Sequence, residues 1–290
     1  MTSCNCLIIS GPTASGKSRL ALDFAERKDI AIINADSLQL YEGLPILSSQ
    51  PSEAEKKIVP HFLYSHFKAR ENSSVMDWLK LVMARIEQVK SEKKLPVIVG
   101  GSGMYISKLV EGISEMPAIE EEVKKAAREL YEKIGQEEFR QKFGEDKIID
   151  KQRLIRAAEV FMQTGKPIST WQKEAKRTPF LEDFLHINLN PDRDKLYQNC
   201  NSRFVEMLDC GAIDEVKNLV AEDDYSITKT LGFHEIKNFL SGEITREKMI
   251  EIATQKTRNY AKRQLTWFRN QLPGKLVFTD SVTALNFLQK

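Results

Sequence analysis

The sequence predicts an α/β protein: a parallel-sheet core with helices on both faces, into which a mainly helical insertion domain is spliced. Three observations carry that expectation. Residues 11–18, Gly11-Pro12-Thr13-Ala14-Ser15-Gly16-Lys17-Ser18, match G-x-x-x-x-G-K-[ST] in full, the pattern of a phosphate-binding P-loop. Short apolar runs recur with helical spacing between them, the alternation that builds a parallel sheet. Between Gly112 and Glu182 the alternation stops, and only 3.6-residue periods remain.

In chain order, Cys6-Leu7-Ile8-Ile9 reads as a buried strand. Leu20, Ala21, Phe24 and Ala25 follow the loop at helical spacing, so the motif has the strand-loop-helix context it requires. Further strand-like runs lie at 30–33, 95–99, 185–189 and 276–278, with Trp78, Leu79, Val82, Met83 and Ile86 marking a helix between the first two. Val123, Ala126, Ala127, Leu130 and Ile134 mark one helix of the insertion, and Leu154, Ile155, Ala158, Phe161 and Met162 another. No convincing strand is expected there, and Pro117 and Pro179 stand at entry and exit. The expected division is 1–111, first part of the P-loop catalytic core; 112–182, helical insertion; and 183–290, the rest of the core. That last part holds one long helical pattern around 203–220 and a basic one over 246–270.

A hydrophobic content of 41% supports an ordinary packed core. No run of eighteen apolar residues exists, and the P-loop follows the N-terminus too closely for a cleavable signal peptide, so a cytoplasmic protein with no membrane partner is expected. Cys4, Cys6, Cys200 and Cys210 lack C-x-x-C pairing and the four His residues are scattered, which argues for reduced cysteines and against a structural metal. A net charge of +2 is too small to indicate nucleic acid by itself. Its distribution says more: from Thr254 to Leu272, Lys256, Arg258, Lys262, Arg263 and Arg269 occur with no acidic residue, and Tyr260, Trp267 and Phe268 are interleaved. Such a helix is either a surface for RNA phosphates and unstacked bases or a solvated face over a buried aromatic stripe.

A P-loop aims backbone N–H groups at a polyphosphate, a nucleotide such as ATP among the options. Lys17 adds a point charge, and the Ser18 hydroxyl is a ligand for a magnesium ion already held by the phosphates. In parallel sheets ligands bind at the carboxyl ends of strands. Asp36, just after the run at 30–33, is placed for magnesium coordination, for general-base work, or for capping a helix. After 95–99 comes Gly100-Gly101-Ser102-Gly103, which permits close backbone approach and offers one hydroxyl. Arg203 can clamp a diphosphate with its planar fork or form a surface ion pair. Gln152, Arg153 and Arg156 make a polar stripe that faces RNA or only water.

These pieces in this order resemble the tRNA dimethylallyltransferase family, also called tRNA isopentenyltransferases. The carrying segments are Gly11 to Ser18, Asp36-Ser37-Leu38-Gln39-Leu40-Tyr41, Val59-Pro60-His61, Val99-Gly100-Gly101-Ser102-Gly103-Met104-Tyr105, Gln152-Arg153-Leu154-Ile155-Arg156-Ala157, Arg203 with Met207 and Gly211, and Thr257 to Arg269. The last is the most specific, through Ala261-Lys262-Arg263-Gln264-Leu265-Thr266-Trp267. The resemblance implies transfer of a dimethylallyl group from dimethylallyl diphosphate to N6 of adenosine 37 in tRNA, with magnesium and release of diphosphate. It implies that the P-loop holds a leaving diphosphate and that the bond broken is carbon–oxygen.

Residue by residue, the resemblance makes Asp36 the general base, has Arg203 and Lys17 bind the diphosphate, and gives Ser18 the magnesium. Ser102 stands where the family usually has Thr, keeping the hydroxyl. Contacts to the tRNA anticodon stem-loop fall to Asp36, Ser37, Leu38, Gln39 and Ser102 in the core, to Lys124, Gln152, Arg153, Leu154, Ile155 and Arg156 in the insertion, and to Lys262 and Arg263 in the basic helix. His61 matches a family His near the active site, with a packing role the alternative. Departures are Pro45-Ile46-Leu47-Ser48-Ser49-Gln50-Pro51 where the family reads Asp-Ile-Gly-Thr-Ala-Lys-Pro, Phe62 after His61, and His234 where Arg or Lys is frequent. With no C-terminal zinc finger, a bacterial-type enzyme acting as a monomer is expected. The rival readings are a P-loop kinase of a small molecule, a nucleotide-switched RNA-binding module, and an isopentenyltransferase acting on free adenine nucleotides.

Overall fold

The structure, a computed structural model, describes residues 4–114, 116–144, 150–174, 177–221, 223–272 and 274–289. In chain order the elements are β1 (Leu7–Ser10), α1 (Lys17–Ala25), β2 (Ile30–Asn34), α2 (Glu53–Ile58), β3 (His61–Phe62), α3 (Val75–Ser91), β4 (Leu95–Gly100), α4 (Gly103–Glu111) and β5 (Ile113–Ser114). Then come α5 (Glu121–Phe143), α6 (Lys151–Thr164), α7 (Ile168–Glu174), β6 (Arg177–Thr178), β7 (Leu185–Leu189), α8 (Arg193–Asp209), α9 (Ala212–Asn218), a 3₁₀ turn at Ser226–Lys229, α10 (Phe233–Leu240), α11 (Arg246–Asn270), β8 (Leu276–Phe278) and α12 (Ser281–Leu288). Among the described residues no helix is long and apolar enough to cross a membrane.

The chain divides into two compact units, Met1–Val110 with Phe180–Lys290, and Glu111–Pro179. The first is built on a six-stranded sheet in the order β3-β2-β4-β1-β7-β8, every pairing parallel. Parallel strands covered on both faces need apolar side chains on both. Accordingly β1 and β2 are buried along their whole length. Leu7, Ile9, Val97, Val99, Ile187 and Leu189 form one layer of core with Leu20 and Phe24 of α1. The register Ser10↔Gly100 and Asn34↔Val99 brings the ends of β1, β2 and β4 level at one edge, so that the segments starting at Gly11, Ala35 and Gly101 leave the sheet side by side.

Local chemistry sets the helix bounds. Ser74 and Asp77 form a reciprocal capping box that starts α3, and the Thr245 hydroxyl accepts from Lys248 N–H to start α11. The helical pattern expected as one piece over 203–220 is two helices, because Gly211 takes a left-handed φ of 105° and turns the chain between α8 and α9. Edge strand β3, two residues long, left no periodicity to read.

The second unit is mainly helical. Leu154 and Ala158 of α6 pack with Ala127, Tyr131 and Phe139 of α5, and α5 itself kinks at Gly135. Contrary to the expectation of no strand, β5 and β6 pair antiparallel through Ile113↔Thr178 and Ser114↔Arg177 and tie the ends of this unit together. Two-residue strands have too few side chains to show alternation. Phe161 and Met162, read as part of the apolar period, are 43% and 40% exposed.

Candidate active site

The site is built at the level edge of the sheet. After β1, Gly11 has φ 147°, and a Cβ there would lie 2.5 Å from the Leu189 carbonyl oxygen, so the chain runs against β7 only because the side chain is absent. Ala14 and Gly16 are also left-handed, and the turn delivers Lys17 to the first position of α1. Lys17 Nζ donates to Pro12 O at 2.5 Å. Enclosure by protein lowers its pKa from 10.5 to about 8; the Asp36 carboxylate works against that shift and the Arg203 charge adds to it. The Ser15 hydroxyl is buried in the same turn with no hydrogen-bond partner among the described residues.

Two helices brace the loop from outside. From α8, Asn199 Nδ2 donates to Ala14 O at 3.2 Å, and the Arg203 guanidinium donates to Thr13 Oγ1. No carboxylate is within ion-pair distance of Arg203 among the described residues, so its charge faces the loop rather than a surface partner. From α11, Gln264 crosslinks two loops: its Oε1 accepts from Thr13 N–H at 2.9 Å and its Nε2 donates to Gly101 O at 2.9 Å. Three residues further on, Trp267 lies where a Cβ on Gly103 would come within 2.2 Å of its ring, so the start of α4 sits directly on the indole.

Asp36 emerges from β2 held by Asn34, whose Oδ1 accepts from Asp36 N–H at 2.8 Å and whose Nδ2 donates to Asp36 O at 2.9 Å. Its own Oδ1 accepts from Leu38 N–H at 3.0 Å, an Asx turn and not a helix cap. Its Oδ2 has no hydrogen bond among the described residues. Ser102 Oγ accepts from Ser37 N–H at 3.0 Å, so the segments after β2 and β4 are joined one residue from the carboxylate.

Three cavities meet here. The largest of the three, about 380 Å³, lies between the P-loop, Asp36 and Arg203. A second, about 60 Å³, shares Thr13, Asp36, Ser48, Ser49 and Arg203 with it and has a mixed wall in which Leu38, Leu47, Phe204, Met207 and Leu231 stand beside Thr230, Thr257 and Tyr260. A third, about 280 Å³, opens beside Ser37, Ser102, Tyr260 and Trp267. Asp36 therefore stands on the wall that the first two cavities share.

The structure brings together Gly11 to Ser18, Asp36, Ser37, Leu38, Gln39, Ser102 and Arg203. Gln39 spends its amide on the carbonyls of Ser48 and Ser49, at 2.9 and 2.8 Å. Lys262 and Arg263 are exposed on α11, with Arg263 lying over the Tyr260 ring. Phe268, read as a base-stacking candidate, is buried at 2% exposure. Lys124, Gln152, Arg153, Leu154, Ile155 and Arg156 all belong to the second unit. There Lys124 pairs with Glu121 and Arg156 with the buried Glu159, while Gln152 and Arg153 are exposed. Leu154 is a correction: it is fully buried in that unit's core, so its side chain offers no contact surface. His61 Nδ1 bonds to Val59 O at 2.8 Å and the ring packs on Tyr64; burial lowers its pKa.

Sequence reasoning missed Gln264 as a site residue, although it shares a helix face with Tyr260 and Trp267, which the basic-helix reading offers as faces for unstacked bases. Tyr260, Gln264 and Trp267 lie at i, i+4 and i+7 on one face of α11, a signal masked by attention to the basic residues between them. Because Gln264 is 6% exposed, Gln264→Leu leaves a buried N–H on Thr13 and a buried carbonyl on Gly101 without partners. It is expected to lower stability by about 1–3 kcal/mol in denaturant unfolding, with Gln264→Glu, which keeps the acceptor, falling between.

Comparison with known proteins places this geometry. The model of the family described as IPP transferase matches residues 39–271, starting just after the P-loop and Asp36. Curated relatives named tRNA dimethylallyltransferase include one from Ehrlichia ruminantium, 40% identical and covering 99% of this chain and 98% of its own, and one from Wolbachia pipientis wMel, 41% identical over 97% and 98%. Among solved structures, a full-length tRNA isopentenylpyrophosphate transferase from Bacillus halodurans superposes with TM-score 0.71 at 28% identity, covering 98% of this chain and 95% of that one.

Proposed function

Because the chain belongs to the IPP transferase family, we propose that it transfers the dimethylallyl group of dimethylallyl diphosphate to N6 of adenosine 37 in tRNA, releasing diphosphate. The observation that carries this reading is the position of Asp36, on the wall common to the P-loop cavity and the smaller one that Leu38, Leu47, Phe204, Met207 and Leu231 help to line. A diphosphate in the first and a five-carbon tail in the second put the allylic carbon beside the carboxylate.

The allylic carbon tolerates positive charge, so the transition state is loose and the protein's main task is to stabilise the leaving diphosphate. Lys17, the Arg203 fork and the backbone N–H groups of the P-loop supply that stabilisation, and Ser15 offers a hydroxyl already stripped of partners. Asp36, through its free Oδ2, accepts a proton from N6 as the new carbon–nitrogen bond forms. The Ser18 hydroxyl lines the P-loop cavity and has no hydrogen bond among the described residues. An oxygen donor of this kind, with the substrate's phosphates, fits a magnesium ion, which when bound neutralises diphosphate charge.

An adenine inside a stem-loop must leave its stack to reach Asp36. The third cavity, with Tyr260 and Trp267 on its wall, offers aromatic faces for it. Lys262 and Arg263 on α11 hold phosphates of the anticodon stem-loop, and the exposed Gln152 and Arg153 of the second unit do the same. A small-molecule kinase would share the P-loop but gives the basic helix and its aromatic-walled cavity no task.

The test is incubation with dimethylallyl diphosphate, magnesium and an unmodified tRNA carrying adenines at positions 36 and 37. Mass analysis of the digested product is expected to show an adenosine heavier by one five-carbon unit. ATP consumption with no such gain would overturn the reading.

A further inference from the structure

We infer that Glu215 is a positioning residue for donor binding: from α9 its carboxylate holds the loop at 45–51 in the form that lines the diphosphate cavity. The inference rests on the function proposed above. Within the loop Ser48 N–H donates to Leu44 O, Ser49 N–H to Ile46 O and Gln50 N–H to Pro45 O, at 2.9, 2.9 and 2.8 Å. These bonds wind it into a single helix-like turn. Such a turn leaves its first N–H groups without partners of its own. Here they belong to Ile46 and Leu47, since Pro45 has no N–H to satisfy. A polar side chain just before the turn ordinarily serves them, but Leu44 has no acceptor to give. Glu215, 169 and 168 positions away, takes that part: its Oε1 accepts from Ile46 N–H at 2.7 Å and its Oε2 from Leu47 N–H at 2.9 Å.

No cation lies within ion-pair distance of Glu215 among the described residues. Burial raises its pKa and the two loop N–H groups work against that shift, so a partly buried carboxylate is spent on two backbone groups. Helix and loop are packed at both ends of the contact. A Cβ on Gly43 would fall 2.6 Å from Leu219 Cδ1, and one on Gly211, which caps α9, would fall 3.8 Å from Ile46 Cδ1. What the turn carries is part of the donor site. Ser48 and Ser49 line the P-loop cavity, and together with Leu47 they line the smaller one. Ser49 has a left-handed φ of 59°, a backbone that a residue with a side chain keeps only where its surroundings hold it. Gln39 holds the carbonyl side, donating to Ser48 O and Ser49 O, and Glu215 holds the N–H side. The third cavity, beside Tyr260 and Trp267, has no described residue of this loop in its lining. Loosening the loop therefore acts on the donor and not on the incoming base.

The experiment takes wild type, Glu215→Gln and Glu215→Asp through three measurements: the Kd of dimethylallyl diphosphate with magnesium and no tRNA, the separate KM values for donor and tRNA, and hydrogen exchange of the loop amides. Glu215→Gln sets an amide N–H against a backbone N–H in place of one acceptor. It is expected to raise the donor Kd and KM by about tenfold and to speed exchange at 46 and 47. The KM for tRNA and exchange in β1 and β4 are expected to stay at wild-type values. Glu215→Asp keeps the charge but draws it back by one methylene; it is expected to move the donor Kd the same way by a smaller factor, and it carries the test if the first variant folds poorly. An unchanged donor Kd in a folded variant would overturn the inference. So would a loss shared equally by donor and tRNA with faster exchange across the sheet, the mark of a merely structural residue. If wild type binds the donor but prenylates no tRNA, the proposed function falls while the donor Kd values still decide the inference; if wild type does not bind the donor, both fall.

Discussion

Asp36→Asn is expected to lower kcat by about 10²–10⁴-fold, the usual share of a general base, while the dissociation constant for dimethylallyl diphosphate stays at the wild-type value or tightens. Asparagine keeps an oxygen for Leu38 N–H, so the Asx turn that Asp36 Oδ1 now makes survives. Only the free Oδ2 loses its capacity to take a proton. Removing a negative charge beside the phosphate cavity does not weaken an anion's binding, which is why the effect falls on kcat. Single-turnover prenylation alongside a direct binding titration separates the two. A variant that turns over near the wild-type rate takes the base assignment away from Asp36.

Lys17→Met is expected to abolish measurable diphosphate binding and to stabilise the empty protein. In the folded state the ammonium titrates at about 8 against 10.5 for the free side chain, so folding holds it at a pH-dependent cost. The cost is fully present below pH 8 and fades as pH rises toward 10.5, because only over that window does the unfolded chain bind the extra proton. Lys17→Met is therefore more stable by about 1–3 kcal/mol below pH 8, and the difference shrinks above it. The same linkage acts on binding: an anion restores the charge of Lys17, so wild type takes up a proton on binding dimethylallyl diphosphate between pH 8 and 10. Calorimetric titrations of wild type in two buffers of different ionisation enthalpy read that uptake. Equal stability of the two proteins at pH 7 would contradict the burial of this charge.

Much of the site was legible because it sits where short, strongly patterned segments end. The strand at β1, the eight-residue P-loop and the first turn of α1 are contiguous, and Asp36 and Ser102 follow apolar runs whose carboxyl ends a parallel sheet must align. The parts that were not legible depend on contacts between distant segments. Gln264 acts on Thr13 and Gly101, each more than 160 positions away, and no periodicity links them. The loop at 45–51 lacks any repeating pattern, yet Glu215 of α9 and Gln39 fix it as a wall. Arg203 could be read as a clamp or as an exposed ion pair from spacing alone; its bond to Thr13 Oγ1 decides where it points. Leu154 shows the opposite error, in which a residue inside a motif was given the motif's surface role although its period placed it on the apolar face.

The central claim is that the P-loop of this protein holds a leaving diphosphate, so that carbon–oxygen and not phosphorus–oxygen cleavage is catalysed. Dimethylallyl diphosphate labelled with oxygen-18 at the atom bridging carbon and phosphorus tests it. Complete recovery of the label in released diphosphate, with prenylated adenosine formed in equal amount, is the predicted result. Label left on the five-carbon fragment, or diphosphate split to orthophosphate at the loop, would contradict it.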